Sequence, residues 1–315
     1  MDSGCKSEFA SLLKVGRTSL YHEYYKQKER DDKDAGKLMT AHIKNPRYGV
    51  RRLAIELGWS EDKTRRIRNL AGIEALRKTK RKRDTKISPE IDSPENKLRS
   101  LWELKNPSNP RDGYDFSSLT NPELSIWAED FTYIGWRGRF LYLAITLRIS
   151  TREVLGWSLG MYHDADLVCA SLEDALRSNN APDIAHTDQG SEYLSQKNSK
   201  LCEQMNIKMS ASDKGKPWQN GFMERFFATF KEEMEYKIKN CETITEVYEK
   251  IANWIYYYNY ERIHTALKMP PKAYALKLQE SNLLQNTYKK VPKLNASHSL
   301  RLPRSAYANQ KMRIT

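Results

Sequence analysis

The sequence predicts an α/β fold, in which a mixed five-stranded sheet with flanking helices is preceded by an all-α arm. Three observations support this prediction. Apolar residues alternate with period two from Ile126, strand and helix patterns then alternate along the chain, and helical periodicity dominates the residues before Leu70. The chain therefore divides into two regions of different structural class.

The composition indicates a globular protein that binds a polyanion. The 315 residues include 53 Lys and Arg against 40 Asp and Glu, which gives a net charge of +13. An apolar content of 39% and seven Trp exclude a disordered basic tail, so the charge belongs to a folded protein. Because the net charge is strongly positive, nucleic acid is the expected partner. No apolar run in the sequence is long enough to span a membrane, and the four cysteines form no CxxC pair. We therefore expect a reducing, cytoplasmic compartment and no membrane partner.

The charge is unevenly distributed along the chain. Residues 1–88 hold 23 basic and 12 acidic side chains, and residues 276–315 hold eight basic and one acidic. The segment 121–240 has 14 basic and 17 acidic side chains. This distribution suits ends that contact phosphates and a centre that binds cations.

The first segment is predicted to form two pairs of helices. A small hairpin is expected around Gly16, because apolar residues on both sides of it are spaced for one helical face. A second pair is expected at Arg51–Leu57 and Asp62–Leu70, where Gly58 can form the turn and Ser60 can cap the second helix.

The second pair has the layout of a helix-turn-helix. Arg65, Arg66 and Arg68 lie on the helix that would enter the major groove, although an ordinary solvated basic face explains them equally well. The run 77–83 follows, with six cations in seven positions, and favours DNA. Its expected phosphate contacts are Lys80, Arg81, Lys82 and Arg83.

Residues 84–122 are predicted to form a connector. Five prolines occur there among Ser, Asn and Asp, with one short helix expected near Glu95–Leu104. The boundary between the arm and the core is placed in this segment.

The core is predicted from seven consecutive patterns. Three strands form a meander, and alternating helices and strands follow. In order they are strands near Ile126–Ile134, Arg139–Leu147 and Glu153–Leu159, a helix at Asp164–Arg177, a strand at Asp183–Thr187, a helix at Gln196–Met205 and a strand at Ile207–Ser210.

Three acidic residues occupy unusual positions in these predicted strands and helices. Asp130 lies among apolar residues in mid-strand, where an unpaired carboxylate needs a cation or strong hydrogen bonds. Asp188 follows a strand and precedes Gly190, a usual position for ligand-facing side chains. After 35 residues comes Glu224 on a helix, with Lys231 two turns later on the same face. Any one of these acids is weak evidence, but the set is specific.

The spacing Asp, Asp, 35 residues, Glu resembles that of polynucleotidyl transferases, and the chain resembles the insertion-sequence transposases of the OrfB class, which share a core with retroviral integrases. The matching stretches are YGVRRLAIELG (48–58), WAEDFTYI (127–134), HTDQGSEY (186–193), SASDKGKPWQNGFMERFFATFKEE (210–233) and YYNYERIHTALKMPPKAY (257–274).

The resemblance implies a ribonuclease-H-like core and a metal site. In this reading Asp130, Asp188 and Glu224 are catalytic and hold two Mg²⁺ ions, for which Mn²⁺ can substitute. It also implies that Lys231 contacts phosphates near the scissile bond. The loop containing Lys216 and Trp218 would close over the DNA end. Packing for Trp218 and a solvated position for Lys231 are the alternatives.

The resemblance further implies a DNA transposase that cuts the 3′ ends of an element and joins them to target DNA. Expected DNA partners are terminal inverted repeats and target, bound by at least a dimer near the bacterial nucleoid. Four regions follow: an arm at 1–76, a linker at 77–122, the integrase core at 123–275 and a basic tail at 276–315. The sequence lacks the His-His-Cys-Cys zinc module of retroviral integrases, so the arm is expected to bind DNA, and a longer frameshifted form is expected.

Two alternatives to a joining enzyme remain at this stage. One is a helix-turn-helix regulator with a vestigial core, and the other is a nuclease of the same fold that only hydrolyses. Outside the acidic set, His264 is expected to be a buried histidine with its hydrogen bonds satisfied. The aromatic residues of a helix near 245–260 are expected to pack in the core or to face another subunit or DNA.

Overall fold

A computed structural model of the chain describes residues 11–12, 17–76, 93–101, 103–104, 114–115, 117–120, 124–214 and 216–290. Residues 1–275 form one compact unit, and residues 276–315 are grouped separately. The described residues contain no helix with the length and apolar character needed to cross a bilayer.

The arm consists of three described helices. They are α1 (Arg17–Lys44), α2 (Val50–Leu57) and α3 (Glu61–Leu70). Gly58 ends α2 in the left-handed conformation at φ 65°, and the Ser60 side chain accepts a hydrogen bond from the Lys63 amide at the start of α3. The predicted second helix pair is therefore confirmed. Residues 13–16 of the predicted first hairpin lie outside the described residues, and α1 is longer than the sequence indicated.

Apolar residues from all three helices hold the arm together. Leu38 of α1 and Ile67 of α3 are fully buried in one small cluster, and Leu53 of α2 packs with Tyr48 and Ile263 in another. Because Ile263 lies in the segment predicted to be the integrase core, the second cluster attaches the arm to the core.

The core contains the predicted five-stranded mixed sheet. Its strands are β1 (Ile126–Trp136), β2 (Arg139–Arg148), β3 (Val154–Gly160), β4 (Ile184–Thr187) and β5 (Lys208–Ala211). Their spatial order is β3-β2-β1-β4-β5, with antiparallel pairing up to β1 and parallel pairing beyond it. Strand β1 is therefore central, and the fold-class prediction is confirmed.

Helices cover both faces of this sheet. Those after the meander are α4 (Ala165–Ser178) and α5 (Gln196–Gln204), and those after β5 are α6 (Gly221–Lys239) and α7 (Ile244–Tyr260). Trp127 of β1 packs with α4 and α5, whereas the neighbouring Ala128 packs in the cluster that contains the phenylalanines of α6. Successive residues of β1 thus face different helical layers, as the period of a strand requires.

The predicted helix near Glu95–Leu104 is wrong. Of these residues, Arg99–Leu101 form one 3₁₀ turn, and Glu103–Leu104 pair with Tyr114–Asp115 in a short antiparallel ladder. Asn96 explains part of the difference, because its side chain accepts from the Leu98 amide and donates to Gln219 of the core. Such local side-chain bonds compete with helix formation.

The last described helix, α8, spans Pro271–Lys290 and crosses residue 275, where the sequence placed the start of a basic tail. Residues 291–315, most of the linker 77–122 and its cations 80–83 lie outside the described residues. The four-region division therefore stays a prediction.

Candidate active site

Asp130 lies in the middle of the central strand on the face that packs against α6. Its Oδ1 accepts a hydrogen bond of 2.8 Å from the Phe131 amide. Burial raises the pKa of this carboxyl group well above its ordinary value, and the negative charges of Asp188 and Glu224 raise it further. The cation of Lys231 acts in the opposite direction. Asp188, Glu224 and Lys231 therefore all lie within electrostatic reach of Asp130.

Asp188 directly follows β4, which pairs in parallel with β1. The register sets Ala128 opposite His186, so the chain reaches Asp188 two residues later, level with Asp130. The Oδ1 atom of Asp188 accepts a 2.9 Å hydrogen bond from the Gly190 amide. A side chain at Gly190 would place its Cβ 2.9 Å from that same oxygen, so a larger residue there would displace the Asp188 carboxylate.

The electrostatic surroundings of Asp188 resemble those of Asp130. The surrounding protein reduces the solvation of its carboxyl group and raises the pKa, and the charge of Glu192 raises it further. The hydrogen bond from Gly190 partly offsets both effects. Both aspartates are thus in environments where added positive charge would be stabilising.

His186 holds the strand that leads to Asp188. Its two ring nitrogens lie 3.0 and 3.1 Å from the hydroxyl groups of Ser210 and Ser212, which belong to β5 and the residue after it. Burial lowers the pKa of this histidine to about 4, so the ring is neutral at physiological pH. Its hydrogen bonds therefore fix the end of β4 without adding charge beside the acids.

Helix α6 supplies the third acid and the cation. Glu224 lies in the first turn of α6, and Lys231 follows two turns later on the same side. The Lys231 ammonium lies 4.2 Å from the centre of the Tyr133 ring on β1, within the range of a cation–π interaction. This contact fixes the lysine over the strand that carries Asp130.

The acids have suitable chemistry for a hard divalent cation, but they do not form a closed ligand set. Among the described residues, no three carboxylate, imidazole or thiol groups lie close enough together to hold one ion. Mg²⁺, however, is usually bound through one or two carboxylates and completed by water and substrate phosphates. Oxygen donors and the mutual repulsion at Asp130 both fit such an ion.

Sequence reasoning missed Glu129, which neighbours Asp130 on the opposite face of β1. Its side chain is 2% exposed, and neither carboxyl oxygen has a hydrogen-bond partner among the described residues. Burial raises the pKa of Glu129 to about 8, so the group is mostly protonated at neutral pH. Two consecutive acids in a predicted strand were the available signal, because alternation sends one of them to each face.

The loop before α6 is held by Asp213. This carboxylate accepts from Gln219 at 3.0 Å and from the Lys216 ammonium at 3.0 Å, and it pairs with Arg99 at 2.7 Å. Trp218 is half-buried and packs against the core. Lys216 and Trp218 therefore have contacts within the chain, and their predicted contacts with DNA stay predictions.

The arginines of α3 also have partners within the arm. Arg66 forms two hydrogen bonds with Asp31 of α1, at 2.6 and 2.9 Å, and Arg68 donates to the Ile73 carbonyl at 2.8 Å. Arg65 pairs with Asp62 on the same exposed helix face. Arg66 thus links α3 to α1, Arg68 links α3 to the segment that follows it, and their predicted role in reading DNA stays a prediction.

The aromatic residues of α7 divide between core and surface. Trp254 and Tyr258 are buried against the phenylalanines of α6, whereas Tyr256 and Tyr260 are exposed and stack with ring centroids 4.6 Å apart. Core packing thus explains the first two. The exposed pair is consistent with the alternative of a partner.

Comparison of the sequence with known proteins finds two matching family models and several similar proteins. Two models described as "Integrase core domain" match residues 121–217 and 205–271. The chain is 34% identical to the transposase for insertion sequence element IS904 of Lactococcus lactis over 145 residues, which are 45% of this chain and 57% of that protein. The chain is similar to insertion-sequence transposases over part of their length, and residues 121–271 match models of the integrase core domain. This confirms the resemblance stated from the sequence.

Two further relatives extend the match. An uncharacterized 31 kDa protein of insertion element IS600 from Shigella sonnei is 28% identical over 84% of this chain and 97% of its own length. A putative transposase of IS150 from Escherichia coli K12 is 31% identical over 45% of this chain and 50% of its own length. The alignments thus span about half the length of two relatives and nearly all of the third.

Retroviral integrase cores are among the solved structures that align with the chain. The HTLV-2 integrase catalytic core in complex with magnesium aligns with a TM-score of 0.41 and 18% identity over 47% of this chain and 93% of its own. The BIV integrase core aligns with a TM-score of 0.41 and 16% identity over 50% of this chain and 97% of its own.

Proposed function

We propose that this chain is a DNA transposase that cleaves the 3′ ends of an element and joins them to target DNA by transesterification of a phosphodiester. The observation that carries the proposal is the electrostatic coupling of Asp130 with Asp188, Glu224 and Lys231 at the edge of the integrase core. Carboxylates that repel one another in this way favour bound divalent ions.

The three carboxylates would hold the ions, and the proposal adopts two Mg²⁺ ions, with Mn²⁺ as a substitute. When bound, such ions activate the attacking oxygen and stabilise the leaving 3′ oxygen of an in-line displacement. Asp130 and Asp188 are oriented for this task by amide hydrogen bonds at 2.8 and 2.9 Å. Lys231 would position a phosphate beside them, and no covalent intermediate with the protein is required.

The arm and linker would supply DNA affinity. Arg65 projects from the exposed face of α3, and the linker cations 80–83 carry charge suited to nonspecific phosphate contact. In this proposal the linker strengthens binding to any sequence, whereas α3 discriminates terminal repeats from other DNA.

The proposal includes at least a dimer on DNA, because one three-carboxylate site acts on one strand at a time and an element has two ends. The exposed, stacked pair Tyr256 and Tyr260 supplies apolar surface for such an assembly. Light scattering with two end-containing duplexes measures how many protein chains and duplexes the complex contains. A fully active, strictly monomeric complex with a single duplex would exclude the dimer.

The deciding experiment incubates the protein with Mg²⁺, labelled duplexes from the ends of its own coding element and a supercoiled target. Joined end–target products support the proposal. Cleaved ends that are never joined would identify a hydrolytic nuclease, and binding without either product would identify a regulator. A reaction with Ca²⁺ in place of Mg²⁺ controls for contaminating metal-independent activity.

A further inference from the structure

A large cavity lies behind helix α6, between the arm and the core. Its volume is about 620 Å³, and it is open to solvent on one side. Five arginines line it, and we call it the arginine cavity. These arginines are Arg51, Arg52, Arg152, Arg225 and Arg262.

The arginine cavity has a strong excess of positive charge. No aspartate or glutamate is among its lining residues. Arg262 is paired with Glu233 behind the wall, at 2.9 Å, and Arg51 approaches Glu61 at 3.7 Å. Among the described residues, Arg52, Arg152 and Arg225 have no carboxylate within salt-bridge distance. Three guanidinium groups thus share a cavity without forming a salt bridge with the described part of the chain, although the charge of Glu233 also acts on Arg52.

The protein holds these charges in place at an energetic cost. Arg152 adopts a left-handed backbone at φ 62°, which is unfavourable for a residue with a side chain, and its guanidinium stacks 4.0 Å from the centre of the Phe222 ring. Burial lowers the pKa of Arg152 to about 10. Arg52 donates to the Thr265 hydroxyl at 3.2 Å and lies over the Tyr48 ring. The arginines are therefore arranged before any ligand arrives.

The positive charges of the arginine cavity also act on His264. Burial lowers its pKa to about 4, and the charges of Arg152, Arg262, Arg52 and Arg225 lower it further. Its Nδ1 atom is buried without a hydrogen-bond partner among the described residues, so the expectation of a satisfied histidine is wrong. An unsatisfied polar atom at a cationic cavity is the feature that a bound anion would explain.

The arginine cavity and the acidic residues lie on different sides of α6. Phe222, Arg225 and Thr229 line the cavity, and at 100° per residue their mean direction is about 140° from that of Glu224 and Lys231. A group in the cavity is thus separated from the acids by the width of the helix. Trp218 and Gly221, at the start of α6, also line the cavity.

We propose that the arginine cavity binds a non-scissile backbone phosphate of DNA, next to a nucleotide that contacts its aromatic wall. Guanidinium groups bind phosphate oxygens in bidentate geometry, and the half-buried Trp218 supplies apolar surface for a base or sugar. That the phosphate belongs to DNA rests on the proposed function. The cavity would anchor the strand on one side of α6 while the acids act on the other side.

The test measures whether DNA protects these arginines in the unaltered protein. Phenylglyoxal modification is followed by mass spectrometry in EDTA, with and without a single-stranded or duplex oligonucleotide. We expect DNA to protect Arg225 and Arg152, and to leave Arg177, which is exposed on α4, equally reactive. Unprotected Arg225 under saturating DNA would overturn the proposal.

Competitors distinguish the source of the phosphate. Inorganic phosphate, dAMP and an acidic peptide are compared with the oligonucleotide at equal concentrations of anionic groups. Protection by the oligonucleotide at far lower concentration supports a DNA phosphate. Equal or better protection by dAMP or by the peptide would show that the cavity serves a different ligand, which contradicts the proposal.

A double variant measures how much the arginines of the cavity contribute to DNA binding. The double change Arg152→Gln and Arg225→Gln is expected to weaken oligonucleotide binding by about tenfold or more. It should also reduce the salt dependence by about 0.9 for each duplex phosphate that the protein no longer neutralises. The double change Arg177→Gln and Lys208→Gln removes the same charge elsewhere and is the matched control. Equal affinities and salt slopes for the two variants would overturn the proposal.

The binding assays use no Mg²⁺, so they fail or succeed independently of catalysis. Protection of Arg225 without any joined product would contradict only the transposase assignment. Joined products with an unprotected Arg225 would contradict only the cavity assignment.

Discussion

The two sides of helix α6 carry opposite charges. On one side the charges of Glu224 and Asp188 both act on Asp130, and the three carboxylates form the proposed cation site. On the other side Arg225 lines a cavity with four further arginines and no acid. Glu224 and Arg225 are consecutive in sequence, yet the helical turn directs them to different surfaces. One helix thus separates the proposed cation site from the proposed phosphate site.

The separation depends on how each side is held in place. The acids are oriented by backbone amides of Phe131 and Gly190, which belong to the central strand and the turn after β4. The arginines are oriented by aromatic rings and by Thr265, which belong to segments far apart in sequence. The two aspartates are thus positioned by the sheet, whereas the basic side is built where the arm meets the core.

The largest expected effect is on catalysis at the acidic side. Asp130→Asn, Asp188→Asn or Glu224→Gln should each reduce joining on the order of 1000-fold, because each removes a charged ligand from the site. DNA affinity should stay nearly unchanged. Asp166→Asn, at an exposed aspartate that pairs with Lys197, is the control and should join normally. Near-normal joining by Glu224→Gln would break the assignment of the acidic side.

The next effect concerns the buried ion pair behind the basic side. Arg262→Ala leaves Glu233 without its partner at 2.9 Å and should lower the free energy of unfolding by about 3–5 kcal/mol. The exposed pair of Arg177 and Asp174 is the comparison, and Arg177→Ala should cost less than about 1 kcal/mol. Urea unfolding monitored by tryptophan fluorescence measures both, and equal losses would contradict the structural role of Arg262.

A pH effect should arise from Glu129, beside the acidic side. Its folded pKa of about 8 lies above the ordinary value of 4.5, so the folded protein keeps a proton that the unfolded chain releases. The free energy of unfolding should therefore fall as pH rises from about 4.5 to 8, by on the order of 4 kcal/mol from this group.

Glu129→Gln should remove that part of the pH dependence and stabilise the protein at pH 8 relative to the unaltered chain. Glu203→Gln, at an exposed position on α5, should leave the pH dependence as it is. Denaturant titrations between pH 5 and 8 decide the matter, and parallel pH profiles for Glu129→Gln and the unaltered chain would contradict a protonated Glu129.

The smallest effects should come from the linker. Neutralising Lys80 to Arg83 should weaken binding to specific and random DNA alike and lower the salt slope by about 0.9 for each phosphate that the linker no longer neutralises. Arg65→Gln on α3 should instead reduce discrimination between terminal repeats and random DNA. If both changes reduced the two affinities by the same factor, the separation of holding and reading would be wrong.

The sequence predicted the sheet and the acidic side because their signals are local. Period-two alternation located β1, β2 and β3, and the strand ends and spacing selected Asp130, Asp188 and Glu224. The arginine cavity has no such signal, since Arg52, Arg152 and Arg262 come from three distant segments that only folding brings together. The predicted helix at Glu95–Leu104 failed for the related reason that Asn96 bonds to the distant Gln219.

The arm shows a second limit of sequence reasoning. The charges of Arg65, Arg66 and Arg68 were visible, but their partners were not. Arg66 is bound by Asp31 of α1, which lies 35 positions earlier, and Arg68 by the Ile73 carbonyl. Charge alone thus could not separate arginines with partners inside the arm from those available for the proposed contacts with DNA.

One measurement tests the separation across α6 most directly. Glu224→Gln and Arg225→Gln are compared in a single joining assay in which DNA concentration is varied. Glu224→Gln should abolish the joining rate at saturating DNA while leaving DNA affinity intact. Arg225→Gln should raise the DNA concentration needed for half-maximal rate while leaving the saturated rate nearly unchanged. If both changes altered the same quantity, the two sides of α6 would not have separate roles.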